Sequence, residues 1–445
     1  MKSAPSKAKR SAAPAIRLLW MRGLAAVLLV SPLGAGTDAR AADGEILYQQ
    51  KLPSYPFQPI VPLTIGGKNY PFMFDTGTYA PIFDPSLRGL LGIIVEKGEL
   101  QSFGVVTETD IYNAPPMNLG RLKLPAWLAA TKNYAIHRTV SGAEIRGIMG
   151  IKPLDQYSIW FDFDHESLKI VKEMTAPPAG MTPLDLRFSG QGTSPKFELD
   201  LQGRKLLFLE DTGFNGFIGL EHNVFAKFVT EGVISQAPAP DAKLSGEQYG
   251  GKTFAKGWFR DGTLLGMELK GVPVMDSVNV NHLGMSFLVY FNNILDLAGK
   301  KFYYERRKDF GLLLQEKMLG AVILFPERRN IVYSLYMGQS AARDAGIREG
   351  DHITRIGSLT DREMNAVSLY ELCLHHYNEV MEVEVERPGE PNAFVTHLLM
   401  PRRQYAFPAM PAPGPPTPAP PTPAPPTPAP PTPAPPGNPP PQPSR

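Results

Sequence analysis

Asp75 and Asp211 stand in settings that could support chemistry. Each heads the tripeptide Asp-Thr-Gly, and the two tripeptides lie 136 residues apart. Apolar runs lead into both: Phe72-Met73-Phe74 before Asp75, and Leu206-Leu207-Phe208-Leu209 shortly before Asp211. A carboxylate at the end of a buried strand, held on a turn, is well oriented. Gly77 and Gly213 allow that turn, and Thr76, Thr78 and Thr212 supply hydroxyls. One such tripeptide says little, because Asp and Gly are ordinary turn residues. Two in matching settings point to a pair. Two carboxyl groups in contact cannot both ionise cheaply, so they share a proton and titrate together. Such a pair suits hydrolysis by general acid and base. One ionised Asp takes a proton from water, and the other, protonated, hydrogen-bonds the carbonyl under attack.

The elements that would position the pair recur along the chain. From Ile46 to Val171, short apolar runs alternate with Gly, Pro and Asn, which predicts strands. Lys68-Asn69, after Gly66-Gly67, is expected to form a hairpin tip. From Leu184 to Tyr304 the order repeats: strand Phe197–Leu201, turn Gly203-Arg204, strand Lys205–Leu209, then Asp-Thr-Gly. Each half closes with a Gly-containing apolar segment, Gly147–Ile151 or Leu283–Leu288, and a final β-like run, Tyr157–Val171 or Tyr290–Tyr304. The order of events repeats although the identities do not, which indicates an internal duplication. Pro177–Gly180 reads as the linker between the halves, and residues 236–242 as a loop within the second.

Phe74-Asp75-Thr76-Gly77-Thr78 and the Gly147-Ile148-Met149-Gly150 element resemble the aspartic peptidases, and most closely bacterial retropepsin-like proteins that carry a PDZ domain. Leu283–Leu288 and Ile294-Leu295-Asp296 resemble the counterpart elements of the second lobe. The resemblance covers roughly residues 46–305. It implies a catalytic Asp75/Asp211 dyad, supported by Thr76, Gly77, Thr78, Thr212 and Gly213, with Thr76 and Thr212 bonded across the lobes beneath it. It also implies a flap between Asp75 and Gly147, for which Val105–Asn113 and Asn118–Leu122 are candidates and Tyr112 the candidate flap tyrosine. Two positions depart from the pattern. Glu210 stands where an apolar residue is usual, and Phe214 where Ser, Ala or Thr is usual.

Gln339 to Ile353 resembles the signature of a PDZ domain: small residues, Ala345-Gly346, an apolar residue, two polar residues, then Gly350-Asp351. The alanines would start a short helix, and both glycines suit turns with positive φ. PDZ domains bind chain ends by strand addition. Phe310–Leu314, with Gly311, Leu312 and Leu313, is the candidate peptide-binding segment, Leu319–Val322 is an alternative, and Leu369–His376 is the candidate groove helix.

The N-terminus has a basic region, the apolar run Gly23–Val30, and small residues at Ala39 and Ala41. These mark a secretory signal peptide cleaved near Ala41; the apolar run falls short of the ~20 residues that a membrane span needs. After Pro408, repeated Pro-Pro-Thr-Pro-Ala units predict an extended, disordered tail. The formal charge is only +2, which gives no reason to expect a nucleic-acid partner. The single cysteine, Cys373, reads as a buried, inert thiol. His375-His376 lacks metal-ligand spacing, and His165 and His282 read as surface residues. Neither metal nor cofactor is expected.

The expected organisation is mainly β: a signal peptide (1–41), two pseudo-symmetric peptidase β-barrel lobes (44–176 and 182–308), an α+β PDZ domain (310–402) and a disordered Pro-rich tail (408–445). The expected function is an exported, periplasmic or secreted, aspartic endopeptidase acting on peptides or unfolded proteins, with a C-terminal peptide ligand for the PDZ domain. The alternative is an inactive peptidase fold that binds peptides or acts as an envelope scaffold.

Overall fold

The computed structural model describes residues 44–52, 57–102, 105–174, 176–188, 194–236, 255–308, 319, 321–326, 329–335, 340–376 and 378–400. The expected signal peptide, Pro-rich tail and Gly311–Leu313 segment lie outside these residues. The described chain is mainly β, with half-barrel sheets.

The sequence repeat reappears as a repeat of strand pairing. In the first half, Ile60–Ile65 and Lys68–Phe74 form an antiparallel hairpin that delivers Asp75. Gly147–Met149 then runs parallel to the Asp75 strand and antiparallel to Ile82–Phe83. In the second half, Lys196–Leu201 and Arg204–Asp211 form the hairpin. Asn281–Gly284 runs parallel to the Asp211 strand and antiparallel to Ile218–Glu221. A further parallel partner flanks each: Trp127–Thr131 beside Ile82–Phe83, and Pro273–Val278 beside Ile218–Glu221. Each Asp strand therefore lies between a hairpin partner and a parallel neighbour, where its backbone amides are paired and its side chains are enclosed.

The final β-like runs of the two halves become hairpins, Ser158–Asp162 with Ser167–Val171 and Phe291–Asp296 with Lys301–Arg306. These join antiparallel, with Ser158 opposite Asp296 and Phe161 opposite Asn293. One continuous 13-stranded sheet thus runs through the junction into the second half, while the first half has its own 9-stranded sheet. The core is aromatic: Phe72 packs edge-on to Phe83, Phe74 on Phe161, and Phe197 stacks on Phe302. All six rings are essentially without solvent contact.

Two expectations about hairpins are corrected. The first turn is Gly66-Gly67, with φ of +56° and +80°. Lys68 and Asn69 already pair with Ile65 and Thr64. Two successive positive φ angles suit a two-residue turn whose twist matches its strands, and glycine adopts them without steric penalty. The two flap candidates also do not belong together. Val105–Ala114 pairs with Ile94–Ser102 at one edge of the 9-stranded sheet, whereas Met117–Leu119 and Leu122–Leu124 form a hairpin at the opposite edge.

A six-stranded sheet forms the C-terminal part, with helices Ala341–Asp344 and Ala366–His375. Ser340 caps the first helix, and Asn365 and Ser368 form a capping box on the second, satisfying amides that a helix start leaves open. Among the described residues no helix is long and apolar enough to cross a membrane.

Candidate active site

The two Asp-Thr-Gly turns meet. Asp75 and Asp211 are 6% and 8% exposed, and each glycine abuts the carboxyl group of the other half. A Cβ added to Gly77 would lie 2.5 Å from Asp211 Oδ1, and one added to Gly213 would overlap the Asp75 carboxyl group. No residue but glycine lets the two turns approach so closely.

Beneath the carboxyl groups the threonines bond crosswise. The Thr76 amide donates to Thr212 Oγ1 at 3.0 Å and the Thr212 amide to Thr76 Oγ1 at 3.1 Å. Thr76 Oγ1 donates to the Glu210 carbonyl at 2.9 Å, and Thr212 Oγ1 to the Phe74 carbonyl at 2.8 Å. Both side chains are buried, so each hydroxyl is used as donor and acceptor with no water competing. A second crossed pair lies outside the first. Gln58 Nε2 donates to the Gly213 carbonyl at 3.0 Å, and Ser194 Oγ to the Gly77 carbonyl at 3.1 Å. Gln58 and Ser194 hold the same place relative to their turns, yet nothing in their residue types announces a role.

The two carboxyl groups are held by different donors. Asp75 Oδ1 accepts from the amides of Gly77 and Thr78 at 2.8 and 3.1 Å, and Oδ2 from the Thr78 hydroxyl at 2.6 Å. Asp211 Oδ1 accepts from the Gly213 amide at 3.1 Å. Phe214 takes the place of Thr78 and has no hydroxyl to offer Oδ2. His282 stands there instead, with its Nδ1 2.7 Å from Asp211 Oδ2. The expectation that His282 is a surface residue is therefore wrong: it is 1% exposed, and its ring stacks on Phe214 with centroids 4.4 Å apart and planes 7° from parallel. Gly219 makes room for it, since a Cβ there would overlap the imidazole.

Strand register explains the exchange. His282 lies opposite Leu209, and Ile148 opposite Met73, each two residues before an Asp. Half one carries a hydroxyl on the turn and an apolar side chain on the parallel strand. In half two the turn is apolar and the polar group has moved to the strand. Aligning Ile148-Met149-Gly150 with His282-Leu283-Gly284 would have revealed this from sequence.

Burial, and next the neighbouring Asp211, raise the Asp75 carboxyl to about 7, against the hydrogen bonds from Thr78 and Gly77. Burial, and next the neighbouring Asp211, raise the Glu210 carboxyl to about 8. Neither Glu210 oxygen has a hydrogen-bond partner among the described residues. Lys132, at the end of strand Trp127–Thr131, adds a cation to this region. Burial holds its ammonium below the usual lysine range, while the Asp75 carboxylate acts the opposite way.

The remaining candidates fall elsewhere. Tyr112 sits at the base of the Ile94–Ala114 hairpin, opposite Ile94, buried and bonded through its hydroxyl to Asp110 at 3.3 Å. The hairpin's turn, residues 103–104, lies outside the described residues. Its free strand is open to solvent, with Ile94 and Val95 about half exposed and the preceding Ile93 more so. Cys373 is buried, and burial pushes its thiol up to about 12, far from a nucleophile's range. Among the described residues no group of three His, Cys, Asp or Glu side chains could hold a metal ion. No protein-family model matches the chain, and no curated protein matches it significantly.

Proposed function

We propose that the chain is an aspartic endopeptidase in which Asp75 and Asp211 form the catalytic dyad. One observation carries this: two buried carboxyl groups from pairing-equivalent positions each lie against the other half's turn glycine, above a crossed Thr76/Thr212 hydrogen-bond frame. Such a frame fixes both carboxyl groups before substrate arrives, so little reorganisation is needed during reaction.

The reaction needs one proton on the pair. The ionised member removes a proton from water as its oxygen attacks the substrate carbonyl carbon. The protonated member gives its proton to the carbonyl oxygen, producing a neutral tetrahedral diol. Collapse of the diol breaks the C–N bond, the amine leaves with a proton, and one carboxyl group is again protonated. The substrate is an extended peptide or unfolded protein, covered by the Ile94–Ala114 hairpin. The capped helices and the six-stranded sheet support a PDZ-like C-terminal module that takes up a peptide end. The basic and apolar N-terminal pattern supports export.

Phe214 favours a second reading, a peptide-binding protein that does not cut, because it removes a hydroxyl from the second turn. His282 Nδ1 offsets that loss, which favours the enzyme. The test is cleavage of a denatured, fluorescently labelled protein from about pH 3 to 8 by wild type, Asp75→Asn and Asp211→Asn. We expect turnover in wild type only, declining as pH rises through about 7, where Asp75 gives up its proton. Absence of turnover at every pH, with all three proteins folded and peptide binding retained, would support the binding protein instead.

A further inference from the structure

The two aspartates occupy equivalent positions, but the groups that contact them are not equivalent. Thr78 Oγ1 contacts Asp75 Oδ2. A hydroxyl both donates and accepts, so it can serve Asp75 in either protonation state. His282 Nδ1 contacts Asp211 Oδ2. With its proton on Nδ1 the imidazole can only donate there, and it donates more strongly to an ionised carboxylate than to a protonated carboxyl group. The two outer contacts therefore do not favour the same proton position.

We propose that His282 is a positioning residue that makes the dyad unequal: through Nδ1–H it holds Asp211 as the ionised member, which takes the proton from water, and leaves the shared proton on Asp75. The inference rests on the peptidase reading for its consequence, but not for the proton arrangement itself. Three further observations support it. The ring is fixed on both sides, by the Phe214 stack and by the space at Gly219, so the Nδ1 contact does not depend on a mobile side chain. The swap of donor from turn to strand is accompanied by Phe214, whose ring replaces the lost hydroxyl with the surface that orients the imidazole. On the other side, Asp75 is raised by burial and by Asp211, which is the direction required of the member that keeps the proton.

Of the ionisable groups near this arrangement, Lys132 acts against it and the others do not. Across the junction, the Lys132 cation would attract an ionised Asp75, but burial disfavours that cation; the buried Tyr134 hydroxyl also faces Asp75, and a negative charge there is disfavoured. On the Asp211 strand, Glu210 is shifted toward its neutral form by burial and by the Asp211 charge, so it adds no negative charge against Asp211 below about pH 8. On the strand packed beside Ile218–Glu221, Asp276 is hydrogen-bonded to His222 at 2.6 Å, and Glu221 ends the intervening strand.

Two measurements test this in the full chain. The first is a carboxyl-carbon NMR titration of ¹³C-aspartate-labelled protein from pH 3 to 9, with ¹⁵N detection of the His282 tautomer. It needs no turnover. We expect Asp211 to ionise at a lower pH than Asp75, with the His282 proton on Nδ1. In His282→Leu, the gap between the two aspartates should narrow by a pH unit or more. His282→Asn, which can place an amide N–H near the Nδ1 position, should restore much of it. A wild type in which Asp75 ionises first, or an unchanged gap in a folded His282→Leu, overturns the proposal. The second measurement is turnover. We expect His282→Leu to lower kcat about 100-fold or more with KM within a factor of two, and His282→Asn to recover to within about tenfold, with the acidic limb of its pH profile moved upward. Full activity and an unmoved profile in His282→Leu would overturn the proposal and leave the peptidase reading standing. The predicted titration order in a wild type that cuts nothing would uphold the proposal and overturn the peptidase reading.

Discussion

Glu210 is the residue at which the second half departs furthest from the first. Its counterpart Phe74 packs on Phe161 in the core, whereas Glu210 is 1% exposed with neither carboxyl oxygen hydrogen-bonded among the described residues. Burial raises its carboxyl to about 8, so the folded state holds a proton that the unfolded chain releases near pH 4.5. Stability therefore falls as pH rises between these values, by up to about 1.4 kcal/mol per unit while the difference lasts. Asp75 adds a slope of the same sign up to about pH 7. Glu210→Leu should remove the larger part of the upper slope, so that unfolding midpoints from pH 5 to 9 flatten and the variant exceeds wild type above pH 7. A midpoint curve parallel to wild type would show that Glu210 is not the group responsible. At Gly77 and Gly213 the outcome is steric. Alanine at either site places a methyl group against the opposite carboxyl group. Each substitution should abolish turnover, and any survival of activity within tenfold of wild type would mean that the turns can separate without consequence. Asp75 and Asp211 stand out in the sequence because residue type and spacing coincide there, and the crossed bonding of Thr76 and Thr212 is what the family resemblance implies. His282 does not stand out, because a histidine among Asn281, Leu283 and Gly284 shows its meaning only through the register that sets it opposite Leu209.

At the scale of elements, the hairpins that deliver the two aspartates were readable from alternating apolar residues and Gly turns, since each has one face in the core. The Ile94–Ser102 strand was not readable. Both of its faces meet solvent along much of its length, so burial imposes no alternation on its sequence. Asn118–Leu122 fits a flap pattern as well as any short hairpin does, and only strand pairing places it at the far edge. Because the Ile94–Ala114 hairpin projects with little buried surface, shortening it by replacing residues 96–110 with a tight turn should leave the thermal midpoint within about 3 °C, on the scale of surface changes. Turnover should drop by at least tenfold if the hairpin covers substrate. Turnover equal to wild type would exclude that role. The crossed threonines behave oppositely. Thr76→Val leaves the Glu210 carbonyl and the Thr212 amide buried without their partners, a loss of about 2–4 kcal/mol. Urea midpoints measure it directly, and Thr76→Ser, which retains the hydroxyl, should recover most of the difference.

In the whole molecule, the C-terminal sheet and its helices meet the first half among the described residues, although the second half precedes them in the chain. The Phe325 amide donates to the Thr139 carbonyl at 2.6 Å, at the end of helix Ala135–Ser141. Gly142, with φ of +71°, ends that helix in close contact with Asn365 and Phe325. Phe57 meets Tyr370 of the second C-terminal helix edge-on, with centroids 6.0 Å apart. The same helix Ala135–Ser141 is anchored toward the site by Arg138, which bonds the buried Asp84 at 2.8 Å. The sheet has its own internal tie: Arg387 grips Asp351 through both carboxylate oxygens at 2.8 and 2.9 Å, and Asp351 is 1% exposed. The Gly350-Asp351 signature is thus structural in this chain. Asp351→Ala removes both bonds to Arg387 and the acceptor of the Arg348 amide, while Arg387 keeps the Gly346 carbonyl and Glu390; the stability of the sheet should fall by about 1–3 kcal/mol. If the sheet braces the first half, the effect must spread. Hydrogen exchange in Asp351→Ala should accelerate in the C-terminal sheet and also in helix Ala135–Ser141, while the Phe291–Asp296 hairpin stays protected. Acceleration confined to the C-terminal sheet would mean that the contacts at Phe325, Asn365 and Tyr370 transmit no stability, and that the module sits on the first half without supporting it.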